Sequence, residues 1–135
     1  MEIVEKESAT SKTVTRQLNL LIYAWMTKEG VSGRKGSRVS PQEKLNAEKS
    51  IPELTAQLSD SVRELLSVKI QKQAFIREMD GLPKADEAHL NKCREVLKGE
   101  LRGMLIYSTN FEGLRKHFEE SFKWLWEKPW TSYVS

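Results

Sequence analysis

The chain has 135 residues, of which 39% are hydrophobic and 30% are charged, a composition that fits one domain with its own core. Lys and Arg number 22 against 19 Asp and Glu, and the net charge of +3 is too small to identify a dedicated nucleic-acid binder. The single cysteine excludes an internal disulfide framework, and no apolar run is long enough to span a membrane.

The N-terminal residues are polar and charged. Residues 1–10 contain three glutamates and no hydrophobic period, which predicts a loose arm over residues 1–11. The segment also lacks the apolar run of a secretory signal peptide. Together with the lone cysteine, Cys93, this pattern favours an intracellular, cytoplasmic protein.

A first helix is predicted from about Lys12 to Glu29. Apolar residues recur at helical spacing at Val14, Leu18, Leu21 and Trp25, and further apolar residues widen that face: Leu20, Ile22, Tyr23, Ala24 and Met26. A helix that is apolar nearly all round is either central in a bundle or covered by a partner. Leu20 and Tyr23 are therefore predicted contacts for a partner.

A glycine-rich basic segment follows. Residues 30–40 read GVSGRKGSRVS, and the glycines and serines predict a flexible loop. Arg34, Lys35 and Arg38 are suited to contact the phosphates of RNA or DNA. The segment lacks the spacing and the preceding strand of a nucleotide-binding P-loop. A solvated connector is the alternative, and the pattern favours it.

Two helix starts are predicted next. Ser40, Pro41 and Glu43 form a capping-box pattern that opens a short helix. Pro52 would break a continuous helix, so a second, long helix is predicted from Pro52 to Met79. Its apolar stripe consists of Leu54, Leu58, Val62, Leu65, Val68, Phe75 and Met79.

Two more helices complete the chain. One is predicted from about Lys84 to Ser108, with Gly99 and Gly103 on one face, where another helix could approach closely or where the glycines are simply tolerated. The other is predicted to open with a capping box at Thr109 and to stop at Pro129. Their apolar stripes are Leu90, Cys93, Leu97, Leu101, Met104 and Leu105 in the first, and Phe111, Leu114, Phe118, Phe122 and Leu125 in the second.

These elements predict an all-α fold. The expected architecture is an antiparallel bundle of four main helices plus one short helix over residues 12–128, followed by an aromatic tail over residues 129–135. No segment alternates with period two, so no sheet is expected.

Catalytic and metal-binding patterns are missing from the sequence. His89 and His117 stand in no metal-ligand motif, and both are interpreted as structural histidines. The acidic pairs at 86–87 and 119–120 are neighbours in sequence and do not face one another on a helix. Cys93 lies in an apolar stripe, where burial raises its pKa. We therefore expect no enzyme activity, no cofactor and no metal.

The C-terminal aromatic residues are the most informative feature. Trp124, Trp126, Trp130 and Tyr133 fall within ten residues. Trp124 and Trp126 are about 200° apart on a helix, so one buried face cannot hold both. Exposed tryptophans are enriched at interfaces, whereas a tail folded back onto the bundle would bury them, and the two interpretations weigh about equally.

The functional hypothesis is a non-enzymatic protein–protein interaction module, either a subunit or adaptor of a larger assembly or a self-associating bundle. Its predicted contact residues are Leu20, Tyr23, Trp124, Trp126, Trp130 and Tyr133. The alternative is a small helical nucleic-acid-binding subunit that contacts phosphates through the basic loop at Arg34, Lys35 and Arg38.

Overall fold

The computed structural model describes residues 2–30, 39–105 and 112–127. Five helices lie in these ranges: α1 (Glu2–Lys28), α2 (Pro41–Met79), α3 (Glu87–Leu105), α4 (Glu112–Ser121) and α5 (Lys123–Glu127). The described residues contain no strand, and the predicted all-α class is confirmed.

The α1–α2 pair supplies most of the packing between helices. Glu7, near the start of α1, forms an ion pair with Lys72, near the end of α2. At the other end, Gly30 follows α1 and lies beside Lys44 in the first turns of α2. The two helices therefore run antiparallel along most of their length.

The remaining helices pack on this pair. On α3, Glu100 accepts a hydrogen bond from Lys69 of α2 at 3.2 Å. On α4, His117 lies 3.0 Å from Thr55 of α2. The core formed in this way draws on all five helices, and its largest fully buried side chains include Phe118, Phe122, Leu18, Leu21, Leu58, Leu65 and Leu97.

The predicted loose arm over residues 1–11 is wrong for Glu2–Ser11, because α1 begins at Glu2 instead of Lys12. Thr10 is buried and its hydroxyl donates to the carbonyl of Lys6 at 2.8 Å. Acidic residues in the first turn also favour a helix N-terminus. The arm is polar, but its contacts with α2, such as the ion pair between Glu7 and Lys72, hold it in helical form.

The predicted break at Pro52 is also wrong, since α2 is one helix from Pro41 to Met79. Ser40 caps it as expected, and its hydroxyl oxygen accepts a hydrogen bond from the backbone N–H of Glu43 at 3.2 Å. Pro52 lies inside the helix with its ring exposed, whereas Ile51 and Thr55 beside it are buried. Burial on both sides of the proline holds the backbone helical despite the missing N–H donor.

The C-terminal half contains a third difference. The single helix predicted after Thr109 is two helices, α4 and α5, with a turn at Phe122. The backbone N–H of Leu125 donates to the carbonyl of Phe122 at 3.0 Å. The capping residues at 109–111 and the tail at 129–135 lie outside the described residues.

Candidate interaction surfaces

The predicted contact residues on α1 are exposed. Leu20 is 48% exposed and Tyr23 is 64% exposed, although α1 is otherwise packed on the rest of the protein. Tyr23 lies on the side of α1 opposite the buried residues, and Leu20 lies at the edge of that side. The buried residues are Thr10, Val14, Leu18, Leu21, Ala24 and Trp25. Exposure is necessary for the predicted role, and the contact itself stays a prediction.

Trp124 does not belong to such a surface, because it is only 7% exposed. Its ring packs near that of Phe122, with centroids 6.1 Å apart, and the guanidinium of Arg63 lies 4.4 Å from its centroid. The turn at Phe122 lets Trp124 and Leu125 both face the core. The description of α5 does not extend to the side chain of Trp126, and Trp130 and Tyr133 lie outside the described residues.

Two cations share the exposed side of α1 with Leu20 and Tyr23. Lys12 and Arg16 are exposed and follow the same helical row, at spacings of four, four and three residues. We call Lys12, Arg16, Leu20 and Tyr23 the α1 ridge. A shallow groove of about 490 Å³ runs beside it, lined by Ser11, Lys12, Thr15, Arg16, Asn19 and Leu20.

A second apolar surface lies at the far end of α2. Phe75, Ile76, Met79 and Leu82 are all exposed, Met79 to 70%, and we call these four residues the α2 tip. Phe75 and Met79 belong to the apolar stripe predicted for this helix, and the structure leaves both of them exposed. The stripe continues in sequence, and α1 and α3 border grooves beside Phe75 and Ile76, but these side chains stay exposed.

The geometry of the turn after α2 holds Leu82 in this surface. Gly81 has a positive φ of 66°, which glycine adopts without strain. The backbone N–H of Leu82 then donates to the carbonyl of Arg77 at 2.8 Å. This C-terminal capping pattern fixes Leu82 against the last turn of the helix.

His117 occupies the junction of α1, α2 and α4. The Thr55 hydroxyl donates to the carbonyl of Ile51 at 2.7 Å, so its oxygen accepts from Nε2–H of His117 at 3.0 Å. The imidazole also lies against Trp25, with centroids 5.3 Å apart. Burial lowers the pKa of His117, the charge of Lys28 lowers it further, and Glu120 partly opposes both effects.

This lowered pKa predicts that acid destabilises the protein. The unfolded chain takes up the His117 proton first, so the free energy of unfolding should fall as the pH drops below about 6.5. Urea unfolding at pH 7.5 and at pH 5.5 measures the loss. In His117→Gln, whose amide can still donate to Thr55, the loss between the two pH values should shrink.

His89 supplies the control for that measurement. Its side chain is 40% exposed and is paired with Asp86, the residue before α3. The hydrogen bond from the backbone N–H of His89 is the main cause that lowers the pKa of Asp86. His89→Gln should therefore retain most of the acid destabilisation of the wild type. If the loss of unfolding free energy between pH 7.5 and pH 5.5 is the same in both variants, His117 is not the source of the acid destabilisation.

The structure does not bring the other residues named in the sequence analysis together into a catalytic or metal-binding group. Cys93 is buried, and desolvation raises the pKa of its thiol. Gly99 and Gly103 are exposed, and a Cβ at either position would contact nothing within 4 Å, so no described helix approaches them closely. Among residues 2–30, 39–105 and 112–127, no three His, Cys, Asp or Glu side chains are grouped as a metal site.

The basic loop residues Arg34, Lys35 and Arg38 lie outside the described residues, so the nucleic-acid hypothesis stays a prediction. Within the described part of the chain, no helix is long and apolar enough to cross a membrane. The sequence matches no family model, no curated protein and no solved structure.

Proposed function

We propose that this protein is a non-enzymatic protein–protein interaction module, a subunit or adaptor of a larger assembly or a self-associating bundle. The observation that carries the proposal is the α2 tip. Large apolar side chains grouped at one place on a surface are typical of protein interaction sites.

The tip is the uncovered end of the core stripe of α2. Leu65 and Val68 are almost fully buried, whereas Phe75 and Met79, about two and three turns beyond Val68, are exposed. Ile3 of α1 borders a groove of about 500 Å³ beside Phe75, which places the start of α1 level with that residue. A partner that packs over the tip would extend the apolar core onto these exposed side chains of α2.

The finer architecture belongs to the same proposal. We infer an antiparallel bundle in which α4 and α5 together act as the fourth helix. Two contacts support it: His117 of α4 lies beside Thr55, and Trp124 of α5 lies beside Arg63, so α4 and α5 follow α2 in the same direction. Such a bundle exposes the tip at one end, between helix termini.

The test is a double substitution at the tip. Phe75→Ser with Met79→Ser should abolish specific cross-linking to a partner in the native host, or dissociate a homodimer detected by light scattering. Met79 is 70% exposed and Phe75 is 39% exposed, so we expect the free energy of unfolding to fall by about 0.5 kcal/mol at Met79 and by about 1–2 kcal/mol at Phe75. Circular dichroism checks that the fold is retained.

Leu45→Ser is the matched control. Leu45 is an exposed leucine on α2, near the end of the helix opposite to the tip. It should leave cross-linking and molecular mass unchanged. The proposal is refuted if the tip variant keeps every partner and the mass of the wild type, or if Leu45→Ser loses them equally.

A further inference from the structure

The α1 ridge has a charge pattern that singles out one chemistry of partner. Residues 8–27, which form most of α1, include Lys12 and Arg16 but no Asp or Glu. Neither cation forms an ion pair with any described residue, although the chain contains 19 acidic residues. Both cations therefore face solvent without a counter-charge from α1 or from the described residues around it.

The apolar half of the ridge lies next to these cations. Leu20 is one turn after Arg16, and Tyr23 is about one turn further. From Lys12 to Tyr23 the ridge is about 16 Å long, at 1.5 Å per residue. A helical segment of about eleven residues has the same length and can contact all four positions.

We propose that the α1 ridge binds an acidic amphipathic segment of a partner protein. Carboxylates of the segment pair with Lys12 and Arg16, and its leucine or aromatic side chains pack on Leu20 and Tyr23. Arg16 offers the planar guanidinium that pairs with a carboxylate through two hydrogen bonds. The groove beside the ridge, which Leu20 and Asn19 help to line, receives the edge of the bound segment.

Other occupants fit the ridge less well. A nucleic acid would gain only two phosphate contacts at the ridge. Its affinity would be low and would depend little on salt concentration, and Leu20 would have no role in binding. A second copy of the chain would bring another ridge that carries cations and no carboxylate. An acidic amphipathic segment complements both halves of the ridge, the charged half and the apolar half.

The inference rests on the proposed function, because it assigns a partner chemistry to an interaction module, but it uses a different surface from the α2 tip. The probe is a fluorescein-labelled synthetic helix of 16 residues with leucines on one face and glutamates elsewhere. Two further helices serve as the second and third probes, one with lysine and the other with glutamine in place of every glutamate. A single-stranded RNA of 20 nucleotides is the fourth probe.

Fluorescence anisotropy with the full chain should show saturable binding of the glutamate helix, weaker in 0.5 M salt than in 0.05 M salt. The double variant Lys12→Glu, Arg16→Glu should weaken this binding at least tenfold, and Leu20→Ser with Tyr23→Ser at least threefold. The tip variant Phe75→Ser, Met79→Ser should bind the glutamate helix as the wild type does.

The inference is overturned if the glutamate helix does not bind, if the lysine helix binds as tightly, or if charge reversal on the ridge has no effect. RNA binding that the charge reversal abolishes would likewise replace it with a nucleic-acid site. In each of these cases the tip experiment still decides the proposed function by itself. If the ridge experiment fails while the tip variant loses its partners, the proposed function stands and only the acidic segment is rejected.

Discussion

Trp25→Ala is expected to lower the free energy of unfolding by about 3–5 kcal/mol, the usual cost of removing a buried aromatic side chain. Trp25 is 8% exposed and joins the end of α1 to α4. Its ring contacts His117 of α4, and the ammonium of Lys28 lies 3.8 Å from the ring centroid. Gly113 approaches it so closely that a Cβ there would be 3.1 Å from Cζ2. Urea unfolding followed by circular dichroism measures the loss.

Tyr23→Ala is the matched control for Trp25→Ala. Both residues are aromatic and lie on α1, but Tyr23 is mostly exposed. Its replacement should change the free energy of unfolding by no more than about 0.5 kcal/mol. Equal losses in the two variants would contradict the packing of α4 against the end of α1.

Pro52→Ala is expected to raise the free energy of unfolding by about 2 kcal/mol. A proline inside a helix costs about 3 kcal/mol relative to alanine, and its stiffening of the unfolded chain returns up to about 1 kcal/mol. The ring is exposed, so alanine loses little packing at this position. The added N–H can donate to the carbonyl of Glu48, one turn earlier in α2.

Pro41→Ala is the control, because Pro41 occupies the first turn of the same helix, where proline is well tolerated. We expect little change or a small loss of stability. Should Pro52→Ala destabilise the protein while Pro41→Ala does not, the chain would form two helices separated at Pro52, as the sequence alone suggests. Thermal unfolding of both variants at the same pH makes the comparison.

Local patterns in the sequence predict much of this fold. The recurrence of Leu18, Leu21 and Trp25 identifies the buried face of α1, and Ser40 with Glu43 identifies the start of α2. These features depend on spacing and on capping within one helix, which a sequence contains in full. The continuity of α2 through Pro52 depends on packing from other helices, which spacing does not reveal.

Exposure was harder to predict than helix position. Phe75 and Met79 continue the stripe of α2 in sequence, yet both are exposed, because burial depends on the packing of other helices and not on spacing within one helix. Trp124 was predicted to contact a partner, but the turn at Phe122 and the long-range contact with Arg63 bury it. Leu20 and Tyr23 could be found because α1 has more apolar residues than one buried face can hold.

The antiparallel packing of α1 on α2 puts the two exposed surfaces at a distance from each other. Lys12, at the end of the ridge nearer to the tip, and Ile3, which borders the groove beside Phe75, are nine residues apart on one helix, or about 14 Å. At physiological salt that separation exceeds the screening length of about 8 Å, so charge at one surface is largely screened at the other. Two short ligands, one on each surface, can therefore bind in one ternary complex with little effect on each other's affinity.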